Sequence, residues 1–178
     1  MVSFYYHLVF DKPITSAAYS VAVRKAIGVI DPYDIQAAMP RFIQWAFEGG
    51  YPGFSWKEFV HDWHGKGHVH QTSYEAVTLD PKAELTAALN ALGADLPDAQ
   101  IDKIISDYSF EAQSNRKRGE EDVTAFVRKG IIGDWKNVFN KEACEMFDRY
   151  AGDELILLGY ETDRSWIQDQ AARSEAKA

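Results

Sequence analysis

The sequence is dominated by one decapeptide, Arg128-Lys129-Gly130-Ile131-Ile132-Gly133-Asp134-Trp135-Lys136-Asn137. It places three cations around two glycines in a chain whose formal net charge is −8. A glycine has no Cβ, so its backbone can adopt positive φ and approach a ligand closely. The guanidinium of Arg128 offers a planar fork for phosphate oxygens, and Lys129 adds a mobile point charge. The pattern indicates a phosphate-binding loop, for which the alternative is a loop with ordinary surface charges.

Composition fits a single globular domain. The chain has 178 residues, of which 46% are hydrophobic and 13% aromatic, and a chain of this length buries roughly 70% of its unfolded surface. The negative net charge argues against general binding to nucleic acid or anionic membranes. Arg116, Lys117 and Arg118 form a basic cluster with the decapeptide. This cluster is therefore positively charged in a chain whose net charge is negative.

Compartment signals favour a cytoplasmic protein without a membrane partner. Cys144 is the only cysteine, which excludes an intrachain disulfide and favours a reducing compartment. No apolar run approaches the ~20 residues of a membrane span. The first residues also lack the basic region and small-residue cleavage site of a signal peptide.

Local signals predict a mainly helical chain. A first helix is expected over residues 16–26. Asp31 as N-cap and Pro32 at the first position predict a second helix over 32–47, which Gly49 and Gly50 end. Further helices are expected after Ser55, over residues 81–92, after Leu96, and from Asn140 to Tyr150 with Gly152 as the stop.

Three segments interrupt the helical pattern. Residues 68–77 contain β-branched and aromatic side chains and are the best strand candidate. Residues 113–122 are polar and charged, so an exposed loop is expected there. Residues 167–178 are polar, and we expect a frayed tail. The sequence therefore predicts a helix-rich chain with few strands.

The run from Arg128 to Phe139 resembles the signature of the cytosolic-type sulfotransferases, and it matches every fixed position of that signature. In that family the run binds the 3′-phosphate of the sulfuryl donor, 3′-phosphoadenosine 5′-phosphosulfate (PAPS). The resemblance implies an α/β fold, in which residues 1–178 form one truncated, P-loop-like sulfotransferase domain. It also implies PAPS as donor, a small-molecule hydroxyl or amine as acceptor, and no metal.

The same resemblance implies further contacts to the nucleotide. Tyr74 corresponds to a family tyrosine at the end of a strand that contacts the adenine edge, and Phe110 to a phenylalanine that flanks the adenine. Arg128, Lys129 and Gly130 then hold the 3′-phosphate. Ser3, near the end of a second family motif, would also bind this phosphate.

The resemblance covers only the C-terminal part of the family's domain. No stretch of this chain matches the phosphosulfate loop with its strand and lysine, and none of the five histidines matches the family's general base. We therefore assign no catalytic residue and expect this chain alone to be inactive. The alternative is a non-catalytic nucleotide-binding or interaction protein derived from a sulfotransferase.

Two features leave other possibilities open. Lys136 and Glu145 fit the family's dimer motif, but Asn140 and Lys141 replace its threonine and valine, which puts that dimer in doubt. Self-association through exposed apolar surface is the remaining expectation.

A histidine cluster offers a different hypothesis. Its members are His61, Asp62, His64, His68 and His70. The cluster suggests a metal-dependent hydrolase, although a solvated cluster without metal is the better interpretation.

Overall fold

The computed structural model describes residues 1–10, 16–50 and 54–176, and the regular secondary structure in these ranges is helical. The helix-rich character predicted from the sequence is confirmed, whereas the strands expected of an α/β domain are absent from the described ranges. The α-helices are α1 Val2–Val9, α2 Ala17–Ala26, α3 Ile35–Trp45, α4 Trp56–Trp63, α5 Tyr74–Leu79, α6 Pro81–Ala91, α7 Asp98–Asp107, α8 Phe110–Ser114, α9 Lys141–Leu157 and α10 Trp166–Glu175. A π-type turn occupies Ala46–Gly50, and a 3₁₀ turn occupies Asp134–Asn137.

The chain divides into two compact units. The first comprises residues 1–62 together with 133–178, and the second comprises residues 63–132. The expectation of one domain over residues 1–178 stays a prediction. No helix in the described ranges is both long enough and apolar enough to cross a bilayer.

The core of the first unit is aromatic and aliphatic. Met39, Phe42 and Ile43 recur at helical spacing on α3 and are fully buried. Tyr5 of α1 meets Phe42 edge-on, with ring centroids 5.2 Å apart. The Tyr5 hydroxyl donates to the Pro32 carbonyl at 2.9 Å, and burial raises the pKa of this tyrosine. The apolar N-terminal segment is thus a core helix.

Most predicted helix starts are confirmed because each has a local side-chain cap. Ser16, Ser55, Asp80 and Asn140 each accept the backbone N–H three residues ahead. The predicted start at Asp31 is wrong. Asp34 caps α3 by accepting the Ala37 N–H at 3.2 Å, whereas Asp31 accepts the Tyr33 N–H in the preceding turn.

The predicted strand over residues 68–77 is wrong. Residues 74–79 form helix α5, and Ser73 caps it by accepting the Ala76 N–H at 3.0 Å. Asp80 ends α5 and at once caps α6. The two caps outweigh the β-propensity of the short apolar run because propensity is a weak prior.

Helix α9 extends beyond its predicted stop at Gly152. This glycine lies buried inside the helix, where an added Cβ would stand 2.2 Å from Asp148 Oδ1. Asp148 Oδ2 in turn accepts from Arg164 Nε at 2.9 Å. Gly152 therefore makes room for a carboxylate that holds the following loop, and it does not end the helix.

The expected frayed tail is also incorrect for residues 167–176. Trp166, Ile167, Gln170 and Ala171 of α10 are buried, because they form one helical face among polar neighbours. The Trp166 ring meets Trp135 edge-on at 5.9 Å between centroids. Residues 177 and 178 lie outside the described residues.

Replacing Gln170 with alanine is expected to lower the free energy of unfolding by about 2 kcal/mol, since buried carbonyls would lose their donor. Gln170 Nε2 donates to the carbonyls of Lys136 and Phe139, each at 2.9 Å, and the residue is 3% exposed. Urea unfolding measures the effect, with Gln168→Ala on the exposed face of the same helix as control. Equal stability of the two variants would contradict the anchoring of this helix.

Candidate phosphate-binding site

The basic decapeptide begins beside a loop of the second unit. The Lys129 carbonyl accepts the Gly119 N–H at 2.8 Å, and the Arg128 carbonyl accepts the Asp122 N–H at 3.0 Å. Most of the loop predicted over 113–122 thus runs alongside the start of the decapeptide and hydrogen-bonds to it, whereas residues 113 and 114 end helix α8. This pairing determines where the Arg128 and Lys129 backbones lie.

Arg116 and Arg118 hold this arrangement together. Arg116 donates from Nη1 to the carbonyls of Glu120 (2.6 Å) and Arg128 (2.8 Å), and from Nη2 to that of Val127. Arg118 Nη1 donates to the Gly130 carbonyl at 2.9 Å. A planar guanidinium suits several carbonyls at once. The basic cluster was apparent in the sequence, but this backbone-binding role was not.

Gly130 packs directly against the ring of Phe110. Its φ is +68°, and an added Cβ would stand 2.2 Å from Phe110 Cδ2. Phe110 is 6% exposed, and the guanidinium carbons of Arg116 and Arg118 lie 5.5 and 5.7 Å from the centroid of its ring. Both the left-handed backbone and the close approach therefore require glycine at this position.

Arg128 and Lys129 share one carboxylate, that of Glu121. Arg128 Nη1 hydrogen-bonds to Glu121 Oε1, and Lys129 Nζ lies 3.5 Å from Oε2. The Arg128 side chain is only 5% exposed, and that of Lys129 is 21% exposed. The sequence did not identify Glu121, whose one signal was its position among acids between two basic segments.

The remaining predicted site residues lie apart from this cluster in the chain. Tyr74 is the first residue of α5 in the second unit and is 52% exposed. Ser3 belongs to the first unit, where it is exposed on α1. The structure therefore brings together Phe110, Arg128, Lys129 and Gly130, and the roles of Tyr74 and Ser3 stay predictions.

One histidine of the cluster contacts a buried carboxylate within the first unit. His61 Nε2 lies 3.1 Å from Glu154 Oε1, and Lys57 Nζ lies 3.7 Å from the same oxygen. The Glu154 side chain is 2% exposed, so the Lys57 ammonium compensates its buried charge, and the His61 ring lies within hydrogen-bond distance of it. Within residues 1–10, 16–50 and 54–176, no group of three or more His, Cys, Asp or Glu side chains is placed to hold a metal.

Cys144 is unsuited to act as a nucleophile. It is fully buried on α9, and burial raises the pKa of its thiol to about 12. Because the thiolate is the reactive form, the native protein presents almost none of it near neutral pH.

Residues 1–159 match the sulfotransferase domain family. The chain belongs to this family. The recognition based on the run from Arg128 to Phe139 is confirmed, and the cluster around Gly130 is part of a sulfotransferase domain.

Individual relatives are similar over part of their length. Sulfotransferase 1A1 from Bos taurus is 32% identical over 114 residues, which cover 57% of this chain and 39% of that protein. Sulfotransferase 1E1 from Cavia porcellus is 29% identical over 131 residues, covering 66% and 44%. Sulfotransferase 1E1 from Bos taurus is 28% identical over 151 residues, covering 78% and 50%. The chain thus spans half or less of these relatives, and no solved structure matches it.

Proposed function

We propose that this sulfotransferase-family chain binds the adenosine 3′-phosphate end of PAPS and the product adenosine 3′,5′-bisphosphate. The observation that carries the proposal is the convergence of Arg128 and Lys129 on one carboxylate. Two cations that already meet on a pair of oxygens are arranged to hold the oxygens of a phosphate. Glu121 therefore stands in the structure where phosphate oxygens would bind.

The backbone around these cations supports the same function. Arg116 and Arg118 hold the carbonyls of Arg128 and Gly130, so the loop is preorganised before ligand arrives. Gly130, at positive φ, lets the chain pass close to a ligand. A preorganised loop loses less conformational entropy on binding than a flexible one.

The rest of the nucleotide site is proposed from the family resemblance. Tyr74, half exposed, would contact the adenine edge. Phe110 would flank the adenine only through the small part of it that is exposed, since the residue is 6% exposed and packs against Gly130. Ser3 would add a hydroxyl to the 3′-phosphate.

In the complete reaction PAPS supplies a sulfuryl group, which passes to a hydroxyl or amine of a small-molecule acceptor. The residues of this chain would bind and orient the nucleotide. Such a transfer also needs charge stabilisation at the reacting centre and a base for the acceptor. No residue of this sequence matches the family positions for those roles, so we propose binding without turnover by this chain alone.

Calorimetric titration tests the binding. Adenosine 3′,5′-bisphosphate should bind, and adenosine 5′-phosphate, which lacks the 3′-phosphate, should bind much more weakly. Equal affinity for the two nucleotides, or no binding of either, would refute the assignment of the 3′-phosphate to Arg128 and Lys129.

Incubation with PAPS and a panel of phenols, alcohols, sugars and amines tests turnover. We expect no sulfated product from this chain alone. Product formation would support the family activity and overturn the proposal that this chain binds without turnover.

A further inference from the structure

Glu121 is set apart from its two acidic neighbours by its contacts. Glu120 accepts the Lys117 N–H at 2.9 Å, and Asp122 accepts the hydroxyl and N–H of Thr124 at 2.7 and 2.9 Å. These hydrogen bonds lower the pKa of Asp122. Glu121 instead contacts the two cations, Arg128 and Lys129.

The surroundings explain why an anion is needed at this position. The Arg128 side chain is 5% exposed, and a buried charge without a partner is strongly destabilising. Glu121 provides that partner from a side chain that is itself 33% exposed. Its carboxylate can therefore move into water without crossing packed core, while the backbone stays held through the Asp122 N–H to Arg128 carbonyl hydrogen bond.

We propose that Glu121 is an exchangeable counter-anion of the phosphate site. In the ligand-free protein it neutralises Arg128 and Lys129, and the 3′-phosphate takes its place when nucleotide binds. This inference rests on the proposed nucleotide-binding function and adds a residue that sets the affinity. A phosphate dianion carries more charge and more acceptor oxygens than a carboxylate, so the exchange favours ligand. Glu121 thus keeps the loop folded without ligand and lowers its affinity for nucleotide.

Calorimetry on Glu121→Gln tests this exchange, with Glu120→Gln as the matched control one residue away. We expect Glu121→Gln to bind adenosine 3′,5′-bisphosphate about tenfold more tightly than wild type, equivalent to about 1.4 kcal/mol. Its ligand-free melting temperature should fall, because the buried Arg128 side chain loses the charge of the Glu121 carboxylate. Glu120→Gln should change neither the affinity nor the melting temperature.

The outcomes separate this inference from the proposed function. If the wild type binds the bisphosphate and Glu121→Gln binds it equally or more weakly, the exchange is overturned but the proposed nucleotide binding stands. Glu121 would then not compete with the ligand. Binding by Glu121→Gln but not by wild type supports the inference. Binding by neither protein overturns both. If Glu121→Gln does not fold alone, recovery of its circular dichroism on addition of the bisphosphate supports the exchange, and no recovery overturns it.

Discussion

Arg128→Ala should weaken the binding of adenosine 3′,5′-bisphosphate by about 100-fold, equivalent to about 2.8 kcal/mol. Arg128 is buried and held in place by its surroundings, so its guanidinium loses little freedom when it binds phosphate. Its hydrogen bonds to phosphate would be charge-assisted, which makes them stronger than neutral ones. After the substitution Glu121, a third exposed, would keep Lys129 beside it but could turn to water, and the site would have lost its buried guanidinium.

Calorimetric titration measures this loss of affinity. Two comparisons test whether it comes from the contact between Arg128 and the 3′-phosphate. Arg173→Ala removes an exposed arginine of α10 and should leave the affinity unchanged. Adenosine 5′-phosphate should bind wild type and Arg128→Ala equally, because it has no 3′-phosphate. An equal loss for both nucleotides would mean that Arg128 supports the fold of the loop and does not contact the 3′-phosphate.

Gly130→Ala should lower the free energy of unfolding by about 3 kcal/mol, which combines the cost of positive φ with that of overpacking. The backbone has φ +68°, and the new methyl group would overlap three ring carbons of Phe110. Phe110 is buried beneath Arg116 and Arg118, so its ring cannot move aside freely. Movement of the loop would also disturb Arg128 and Lys129, and nucleotide affinity should fall as well.

The matched control is Gly119→Ala in the same unit. Gly119 also has positive φ, +95°, but an added Cβ would first meet Ile131 Cγ2 at 3.9 Å. Gly119→Ala should therefore lower the free energy of unfolding only by the cost of positive φ, about 1 kcal/mol. Urea unfolding followed by circular dichroism compares the two variants. Equal losses would rule out the overlap with Phe110 as the cause.

A double-mutant cycle isolates the contact between Gly130 and Phe110. Phe110→Leu reduces the ring to a flexible branched side chain, so Gly130→Ala should cost less in that background than in wild type. Additive losses would indicate that the methyl group is accommodated elsewhere.

Local chemistry explains which parts of the fold were predictable. Asp80 and Asn140 cap their helices with a side chain that reaches only three residues ahead, and such signals are contained in the sequence itself. Asp31 and Asp34 are both competent caps, and the choice between them depends on how α3 packs. The strand predicted over residues 68–77 failed for a related reason, because Ser73 and Asp80 start helices within and after a run that has β-propensity.

The structure brings four of the predicted site residues together, and their roles in binding stay predictions. Arg128, Lys129 and Gly130 lie in a run long enough to identify the family, and Phe110 lies against Gly130 as expected of one site. Glu121 was missed because its role depends on which of three adjacent acids faces the cations. Arg116 was noticed as charge, but its three carbonyl partners exist only after the loop folds.

The sequence by itself determined the sulfotransferase family, the helical character and most helix starts, because these depend on motifs and on contacts a few residues apart. Only the tertiary structure decided that Gly152 lies inside α9, that α10 packs through Gln170, and that Glu121 neutralises the basic loop. Each of these depends on an opposing side chain or carbonyl whose position no local signal specifies. For Gly130 the sequence predicts a phosphate loop from its neighbours, and the tertiary structure adds the Phe110 ring, which explains why this residue must be glycine.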